Sequence, residues 1–473
     1  MGRALYDSKS TSIGDRGVGE LLSEKIKLAT WLEVEAALAR AQAEEGLIPR
    51  GAADDICSHA RLECLDLDEM ARIKAHVGHG FVPFVKVLVA ACEGEGAKYV
   101  HYGATTQNIQ QTSQLLIAKR VDAMFQGFLA DIFENLARLG RKHADAVMPG
   151  RTHGRHATPV TYGYKVAVWA SEAAAAAERL EQARPRVFQA MMGGAVGAFS
   201  TTGEVGRRVQ DRVAAELGMG SMAVPSRAIN GFKEEYVMGL ALLCHVFHKM
   251  AEEVYYTGIE EFGEVSEEFV AGTVGSSTMP QKINPKLAKG IIANSEKLYS
   301  LVPLGLYAPA RMFEADSGAY MQMDALLEEA LQLTCEVLMR AEELTRTLHV
   351  NEDRLYQNAC LTGGLDNSEH VMMELSTRVG KDCAHGIVYE DAITAETKGV
   401  TFVDALCADP VIASAFTRDE VKQMLAPEAY TGLSAVLARE QADVAEAMAA
   451  RLRAAAGCET SVTGSMGTDA GVV

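Results

Sequence analysis

Three long stretches of the sequence contain no proline, and this absence constrains the fold more than any other feature. Proline is missing from residues 84–148, 226–279 and 310–409. Because proline removes a backbone donor and clashes with the preceding turn, it interrupts the interior of an α-helix. Each of these stretches therefore has room for a helix of many turns.

Apolar side chains within and beside these stretches recur with helical spacing. They fall at every third or fourth position in residues 115–139, 160–184, 232–262 and 319–347, which gives each segment one continuous apolar face. Alternating, strand-like runs are nearly absent. The sequence therefore predicts an all-α fold whose long helices pack in a bundle. We expect three helical parts: an N-terminal domain over 1–108, a central bundle over 109–350 and a C-terminal domain over 351–473.

The composition disfavours several classes of partner. A formal net charge of -18 with no basic run argues against nucleic acid and against an anionic membrane. The N-terminal MGRALYDSKS lacks the apolar run of a signal peptide, and no 18-residue apolar stretch occurs, so we expect a cytoplasmic protein. The nine cysteines are scattered and form no CxxC pair, which favours reduced thiols and predicts no metal site.

Residues 275–285 read Gly-Ser-Ser-Thr-Met-Pro-Gln-Lys-Ile-Asn-Pro and are rich in hydrogen-bond donors. Gly275 lets the backbone approach a ligand closely, and Pro280 and Pro285 stiffen the segment and prevent a helix through it. Two hydroxyls, an amide and the Lys282 ammonium then form a rigid nest of donors. Such a segment favours anion binding, and the alternative is a plain connector between helices.

This segment is similar, nearly letter for letter, to the G-S-S-x-M-P-x-K-x-N-P signature of the fumarase/aspartase superfamily. The chain is identified as a member of its adenylosuccinate lyase and 3-carboxy-cis,cis-muconate cycloisomerase branch. The resemblance implies a lyase that needs no cofactor and acts on a small di- or tricarboxylate. In the signature loop, 272–286, it makes Ser276 the base, and Lys282 and Asn284 the groups that stabilise an aci-carboxylate intermediate. By the same resemblance two further loop residues contact substrate: Ser277 and Met279.

A second segment, His101-Tyr-Gly-Ala-Thr-Thr-Gln-Asn108, comes shortly before the helix predicted over 115–139. It resembles the branch's H-x-G-x-T-S-x-D element. Hydroxyls ahead of a helix cap its free N–H groups, and such N–H groups also bind a carboxylate. Plain capping is the alternative for both threonines. The resemblance makes His101, Thr105 and Thr106 substrate-binding residues.

A third segment, from Arg151 to Pro159, resembles the branch's R-T-H-x-Q-x-A-x-P, with Arg155 where glutamine is common. We interpret Pro159 as the start of the next helix. An isolated histidine is more often structural than catalytic. The resemblance nevertheless makes His153 the candidate proton donor to the leaving group, or the residue that orients this donor. It makes Arg151 and Thr152 substrate ligands.

Two departures from the branch concern the substrate. Residues 78–84 resemble an H-D-V-x-x-F element, but Gly80 replaces the aspartate, so His79 is kept only as a substrate contact. After the signature loop, adenylosuccinate lyases of this branch carry H-E-R-D, whose arginine holds the nucleotide. Here Ala315 replaces that arginine, and Tyr320 stands where the cycloisomerases have tryptophan. We therefore expect a side branch with its own substrate.

Three functions stay open on this basis. The first is a lyase that cleaves a carbon–nitrogen bond in an N-substituted aspartate or related succinate derivative and releases fumarate. The second is a 3-carboxy-cis,cis-muconate cycloisomerase, and the third is a non-catalytic, crystallin-like structural protein. The resemblance also implies a homotetramer with a twenty-helix core. In it the signature loop, the Thr105 segment and the His153 segment meet from three different chains, so that the active sites are shared.

Overall fold

The computed structural model describes residues 14–269, 276–279, 281–308, 313–314 and 317–463. Gly275 and Pro280 of the signature segment, and Ala315, lie outside these ranges. Within them the chain forms nineteen α-helices and six short β-strands. The all-α prediction is confirmed.

The helices are α1 (Val18–Leu21), α2 (Glu24–Glu44), α3 (Arg50–His59), α4 (Leu67–Val77), α5 (Val82–Ala91), α6 (Thr106–Lys142), α7 (Tyr162–Val187), α8 (Gly203–Glu216), α9 (Gly231–Thr257), α10 (Leu287–Tyr299), α11 (Leu301–Tyr307), α12 (Ser317–Thr347), α13 (Glu352–Ala359), α14 (Ser368–Val379), α15 (Lys381–Lys398), α16 (Phe402–Ala408), α17 (Pro410–Ala415), α18 (Arg418–Met424) and α19 (Ser434–Thr463). The strands are β1 (Val147–Thr152), β2 (Arg155–Thr161), β3 (Gln189–Ala190), β4 (Gly220–Ser221), β5 (Val265–Ser266) and β6 (His349–Val350).

Helix α6 is the spine of a bundle of long helices. Its 37 residues carry a nearly continuous buried face, and at 1.5 Å per residue they span about 55 Å. Helices α7, α9, α10 and α12 pack around it and share one large apolar core. We call the two ends of this bundle the Thr105 end, where α6 begins, and the hairpin end, where α6 leads into β1.

Helix α19 returns from the C-terminal region to the bundle. It packs along α6 and α7, and Ala442 and Ala445 enter the same apolar core. Ion pairs fix its direction: Arg141 lies 2.5 Å from Asp443, near the hairpin end, and Arg453 lies 2.6 Å from Asp131, further down α6. A separate core forms between residues 371 and 425. The domain boundaries at 108 and 350 stay predictions.

Strands β1 and β2 form an antiparallel hairpin between α6 and α7. The register shifts between Met148 and Gly150. Our interpretation of Pro159 as a helix start was wrong, because Pro159 lies inside β2 and α7 begins three residues later, capped by the Thr161 side chain. Over the ranges that the structure covers, the helices lack the length and apolar character needed to cross a membrane.

Candidate active site

The hydroxyl of Ser276 accepts two backbone hydrogen bonds in the signature loop. Ser276 Oγ lies 3.3 Å from the amide nitrogen of Thr278 and 3.1 Å from that of Met279. Two N–H donors aimed at one oxygen favour its negatively charged form. Ser277 and Met279 are exposed beside it. This is the local turn that serine side chains commonly form, and the same two donors would stabilise a Ser276 alkoxide.

Lys282 and Asn284 follow in the second half of the loop. The amide of Lys282 donates to the Met279 carbonyl at 3.0 Å, which closes a turn, and its side chain is exposed. Asn284 is half-buried. Both residues lie within four positions of Lys286, the N-cap of α10, so their positions depend on how the start of that helix is held.

The Glu267 carboxylate holds this turn, and sequence reasoning missed it. One oxygen accepts from the amides of Lys286 and Leu287 at 2.8 and 2.9 Å, and the other accepts from Ala288 at 2.7 Å. These amides are free N-terminal donors of α10. Because Glu267 precedes the signature loop and its partners follow it, the carboxylate clips the two ends of the loop together. No local pattern marks this residue, since its partners are nineteen or more positions away.

His153 lies at the tip of the β1–β2 hairpin. His153 and Gly154 form a two-residue turn with φ values of 52° and 70°, the left-handed geometry of a type I′ hairpin. Among residues other than glycine, histidine is one of the few enriched in that geometry, together with asparagine and aspartate. His153 and Thr152 are both exposed. The fold therefore presents the predicted proton donor at a projecting corner of the molecule.

Arg151 is engaged inside the chain. Its guanidinium forms a two-pronged ion pair with Glu264, whose side chain is only 1% exposed, and lies 5.1 Å from the ring centroid of Phe262. Asn358 donates to the same carboxylate at 2.8 Å. This pair joins the hairpin to the residues ahead of β5. Arg151 therefore has a structural partner in the position where we predicted a substrate contact.

Thr105 is the N-cap of α6, as the sequence indicated. The Asn108 side-chain oxygen accepts from the amide of Thr105 at 3.0 Å and from that of Gly194 at 3.2 Å, which ties the helix start to the glycine turn of another segment. Thr106 is the first helical residue. The N-terminus of so long a helix carries a positive partial charge that favours an anion.

Two histidines contact Phe81: His101 packs against its ring, with centroids 5.4 Å apart, and His79 accepts from its backbone amide. His101 has φ of 60°, and its Nδ1 lies 2.6 Å from an oxygen of Glu35, which is 1% exposed. Because a carboxylate accepts, Nδ1 of His101 carries the proton. His79 is the reverse: its Nδ1 accepts from the amides of Phe81 and Val82 at 3.1 Å, so the proton of its neutral ring lies on Nε2. Sequence reasoning missed Glu35, whose partner is 66 residues away.

A cavity of about 790 Å³ opens at the Thr105 end of the bundle. It brings together His79, Thr105 and Thr106 with Arg227 and Tyr320. Pockets of about 300–1,000 Å³ are typical of small-molecule sites. The cavity therefore fits a ligand larger than a four-carbon dicarboxylate.

The predicted site residues fall into two groups at opposite ends of the bundle. Thr105 and the cavity lie at the beginning of α6, whereas His153 lies beyond its far end, about 55 Å away. The residues that lead into the signature loop also lie at the hairpin end. Glu264, just before β5, binds Arg151 of the hairpin, and β5 leads to Glu267. One chain alone does not bring the two groups together.

Comparison with known proteins agrees with the fold and with the motifs. Residues 18–296 match the family described as lyase, and residues 364–440 match the adenylosuccinate lyase C-terminus. The chain belongs to the fumarase/aspartase superfamily, in the branch of adenylosuccinate lyases and cycloisomerases, and it is an enzyme.

Three relatives illustrate the range of this branch. The chain is 34% identical to an N-acetyl-S-(2-succino)cysteine lyase of Enterococcus italicus over 413 residues, 87% of this chain and 90% of the relative. It is 34% identical to the adenylosuccinate lyase of Methanocaldococcus jannaschii over 414 residues, with the same coverage of 87% and 90%. The crystal structure of a 3-carboxy-cis,cis-muconate lactonizing enzyme from Pseudomonas putida superposes with a TM-score of 0.83 at 28% identity, covering 93% of this chain and 98% of that one.

Proposed function

We propose that the protein catalyses β elimination from a succinate-type substrate, with carbon–nitrogen cleavage of an N-substituted aspartate or related derivative that releases fumarate. The observation that carries this proposal is the pair of backbone amides on Ser276 Oγ, at 3.3 and 3.1 Å, inside the signature loop. The names of two relatives support the substrate class, since one acts on adenylosuccinate and the other on an S-(2-succino)cysteine derivative. The S-(2-succino)cysteine derivative extends the possible leaving atoms from nitrogen to sulfur.

The proposed reaction begins at the carbon beside a carboxylate. Ser276, as alkoxide, takes the proton, and the electron pair of the C–H bond moves into the carboxylate to give a dianionic aci-carboxylate. Lys282 and Asn284 stabilise this charge without reorganisation, because the loop already holds them near it. The pair then returns to form the double bond of fumarate while the bond to nitrogen breaks. The departing nitrogen takes a proton from a general acid, for which His153 is the candidate.

We also propose that the working enzyme is a homotetramer in which three chains build each site. The roughly 55 Å between Thr105 and the hairpin supports this, because no bending of one chain joins the two ends of a packed helix. Four chains of 50.8 kDa give a mass near 203 kDa (4 × 50.8), which light scattering measures directly. A fully active monomer would overturn the shared site.

Mixing two inactive variants tests the shared site further. Ser276→Ala and His153→Asn chains, refolded together in equal amounts, should regain about one quarter of wild-type activity, because half of the chains supply each intact group independently. Either variant refolded alone should stay inactive. If verified mixed tetramers gain nothing, Ser276 and His153 act from the same chain, and the proposal that three chains build each site is wrong.

The chemistry is tested by fumarate absorbance on a panel of N- and S-succinyl compounds, with lactonisation of 3-carboxy-cis,cis-muconate run in parallel. Ser276→Ala should lower turnover about a thousandfold, the scale of a lost positioned base within a stabilising site. The matched control is Ser376→Ala, since this half-buried serine of α14 donates its hydroxyl to the Met373 carbonyl of its own helix, at 2.7 Å. Activity on the muconate alone would favour the cycloisomerase. Inactivity on every compound would favour the crystallin-like alternative.

A further inference from the structure

Among the residues that the structure describes, an arginine on the wall of the cavity has no carboxylate partner. Arg227 lines the cavity, and its guanidinium carbon lies 4.2 Å from the ring centroid of Tyr320. Its Nε is buried and, among the residues that the structure covers, finds no hydrogen-bond acceptor. Stacking on an aromatic face fixes the plane of a guanidinium and leaves its N–H edge free for a planar oxyanion.

The other charged groups of the cavity are arranged differently. Lys27 lies 3.4 Å from Glu24. Asp324 is neutralised by Lys233, which is fully buried and places its Nζ 2.7 Å from the carboxylate. Glu328 also lines the cavity, and no ion pair joins it to the arginine in the described part of the chain.

The burial of Nε matters because burying a donor without an acceptor costs free energy. The sequence carries 63 acidic residues against 45 lysines and arginines, yet among the described residues no acceptor replaces the hydration that this Nε has lost. A ligand oxyanion would replace it. The residue also contacts Tyr320, which stands where the cycloisomerases of this branch have tryptophan.

Resting on the proposed function, we propose that Arg227 determines specificity by binding an oxyanion of the leaving group. The substrate class is then a succinyl derivative of an amine or thiol that itself carries a carboxylate or phosphate. Tyr320 holds the guanidinium in place. The arginine lies between β4 and α9, far in sequence from Ala315, and supplies a cation to the cavity from another part of the chain.

The test compares three substrates that differ only in the leaving group. In each, C2 of succinate is bonded to the amine nitrogen of glycine, of glycinamide or of phosphoethanolamine. Wild-type enzyme should prefer the acidic compounds. Arg227→Gln should lower kcat/KM about 30- to 100-fold for the acid that the site recognises, the range of a two-pronged charge-assisted contact, and by less than about threefold for glycinamide. Whichever acid suffers the larger loss identifies carboxylate or phosphate.

Two further variants complete the experiment. Tyr320→Leu should also lower kcat/KM for the acidic substrates, because it removes the aromatic ring that orients the guanidinium but keeps Arg227 itself. Arg207→Gln is the matched control, since this arginine is 64% exposed and only approaches Glu204 at 3.9 Å. Equal losses on acidic and neutral substrates would make Arg227 structural and overturn the inference while the proposed function stands. If wild-type enzyme turned over none of the three, the proposed function would fail and this subsite with it.

Discussion

Removing the Glu267 carboxylate should detach the signature loop from α10 while leaving the bundle intact. The carboxylate accepts from the amides of Lys286, Leu287 and Ala288 at 2.8, 2.9 and 2.7 Å. Loss of a side-chain N-cap costs about 0.5–2 kcal/mol, and loss of a negative charge at a helix N-terminus about 0.3–1 kcal/mol. Glu267→Ala should therefore weaken the clip by about 1–3 kcal/mol, and Glu267→Gln, which keeps one acceptor, by about 1 kcal/mol.

The effect on catalysis follows from the positions of two loop residues. Lys282 and Asn284 lie four and two residues before Lys286, so a freed helix start displaces both. A misplacement of about 1 Å costs about a hundredfold in rate. We expect kcat to fall about 10- to 100-fold for Glu267→Ala, with a smaller change in KM because the cavity at the other end of the bundle is untouched.

Two measurements check this expectation together. Hydrogen exchange should accelerate at the amides of Lys286, Leu287 and Ala288, and steady-state kinetics should show the fall in kcat. Glu268→Ala is the matched control, since it removes the same charge from an exposed neighbour. Faster exchange with unchanged kcat would refute the idea that the clip positions the catalytic groups. Unchanged exchange would refute the clip itself.

Three further changes give distinct outcomes. Arg151→Met should lower the free energy of unfolding by about 3–5 kcal/mol in urea titrations, because it leaves the buried Glu264 carboxylate unpaired, and adding Glu264→Leu should restore much of it. If Arg151 serves only substrate, stability stays unchanged. Burial raises the pKa of Glu234 from 4.5 to about 7, so the protonated side chain favours the folded state. Its contribution to the free energy of unfolding is complete below pH 4.5 and is lost as pH rises through about 7. Glu234→Gln should therefore raise the free energy of unfolding at pH 8 by at most about 3 kcal/mol, seen as a higher midpoint of thermal unfolding, and leave it unchanged at pH 4. The opposite order would contradict the assignment. His153→Asn should reduce turnover most for poor leaving groups, whereas equal losses across a series would make it an orienting residue.

Proline spacing and apolar periodicity predicted the helices well because both act within one segment. The segment predicted over 115–139 lies inside α6, and Thr105 caps it as its residue type indicates. The β1–β2 hairpin was not predicted. Pro149 and Pro159 both fall in its strands, and a two-stranded hairpin tolerates proline because each strand has an open edge. A proline after a polar segment therefore did not distinguish a strand from a helix start.

The site residues show the same difference between local and long-range signals. The serine, lysine and asparagine of the signature loop were found because they stand in one short motif. Glu35, Arg227 and Glu267 were missed, because each acts on a partner that only tertiary packing brings near: His101, Tyr320 and the start of α10. A lone glutamate or arginine on a helical chain has no local mark that separates these roles from a solvated surface charge. Sequence motifs thus predicted the reacting groups, and the structure added residues that contact or position the predicted ones.

The distribution of these groups along the bundle gives a physical reason for the proposed assembly. The cavity and Thr105 occupy one end, and His153 and the residues that lead into the signature loop occupy the other, about 55 Å apart. Parallel packing of two chains would keep like ends together and complete no site. A twofold axis across the bundle reverses one chain, so that the Thr105 end of one lies beside the hairpin end of another. Dihedral symmetry supplies such axes and places two complete sites at each end of a tetramer. Under this arrangement a variant that dissociates the chains abolishes activity without altering any residue of the site.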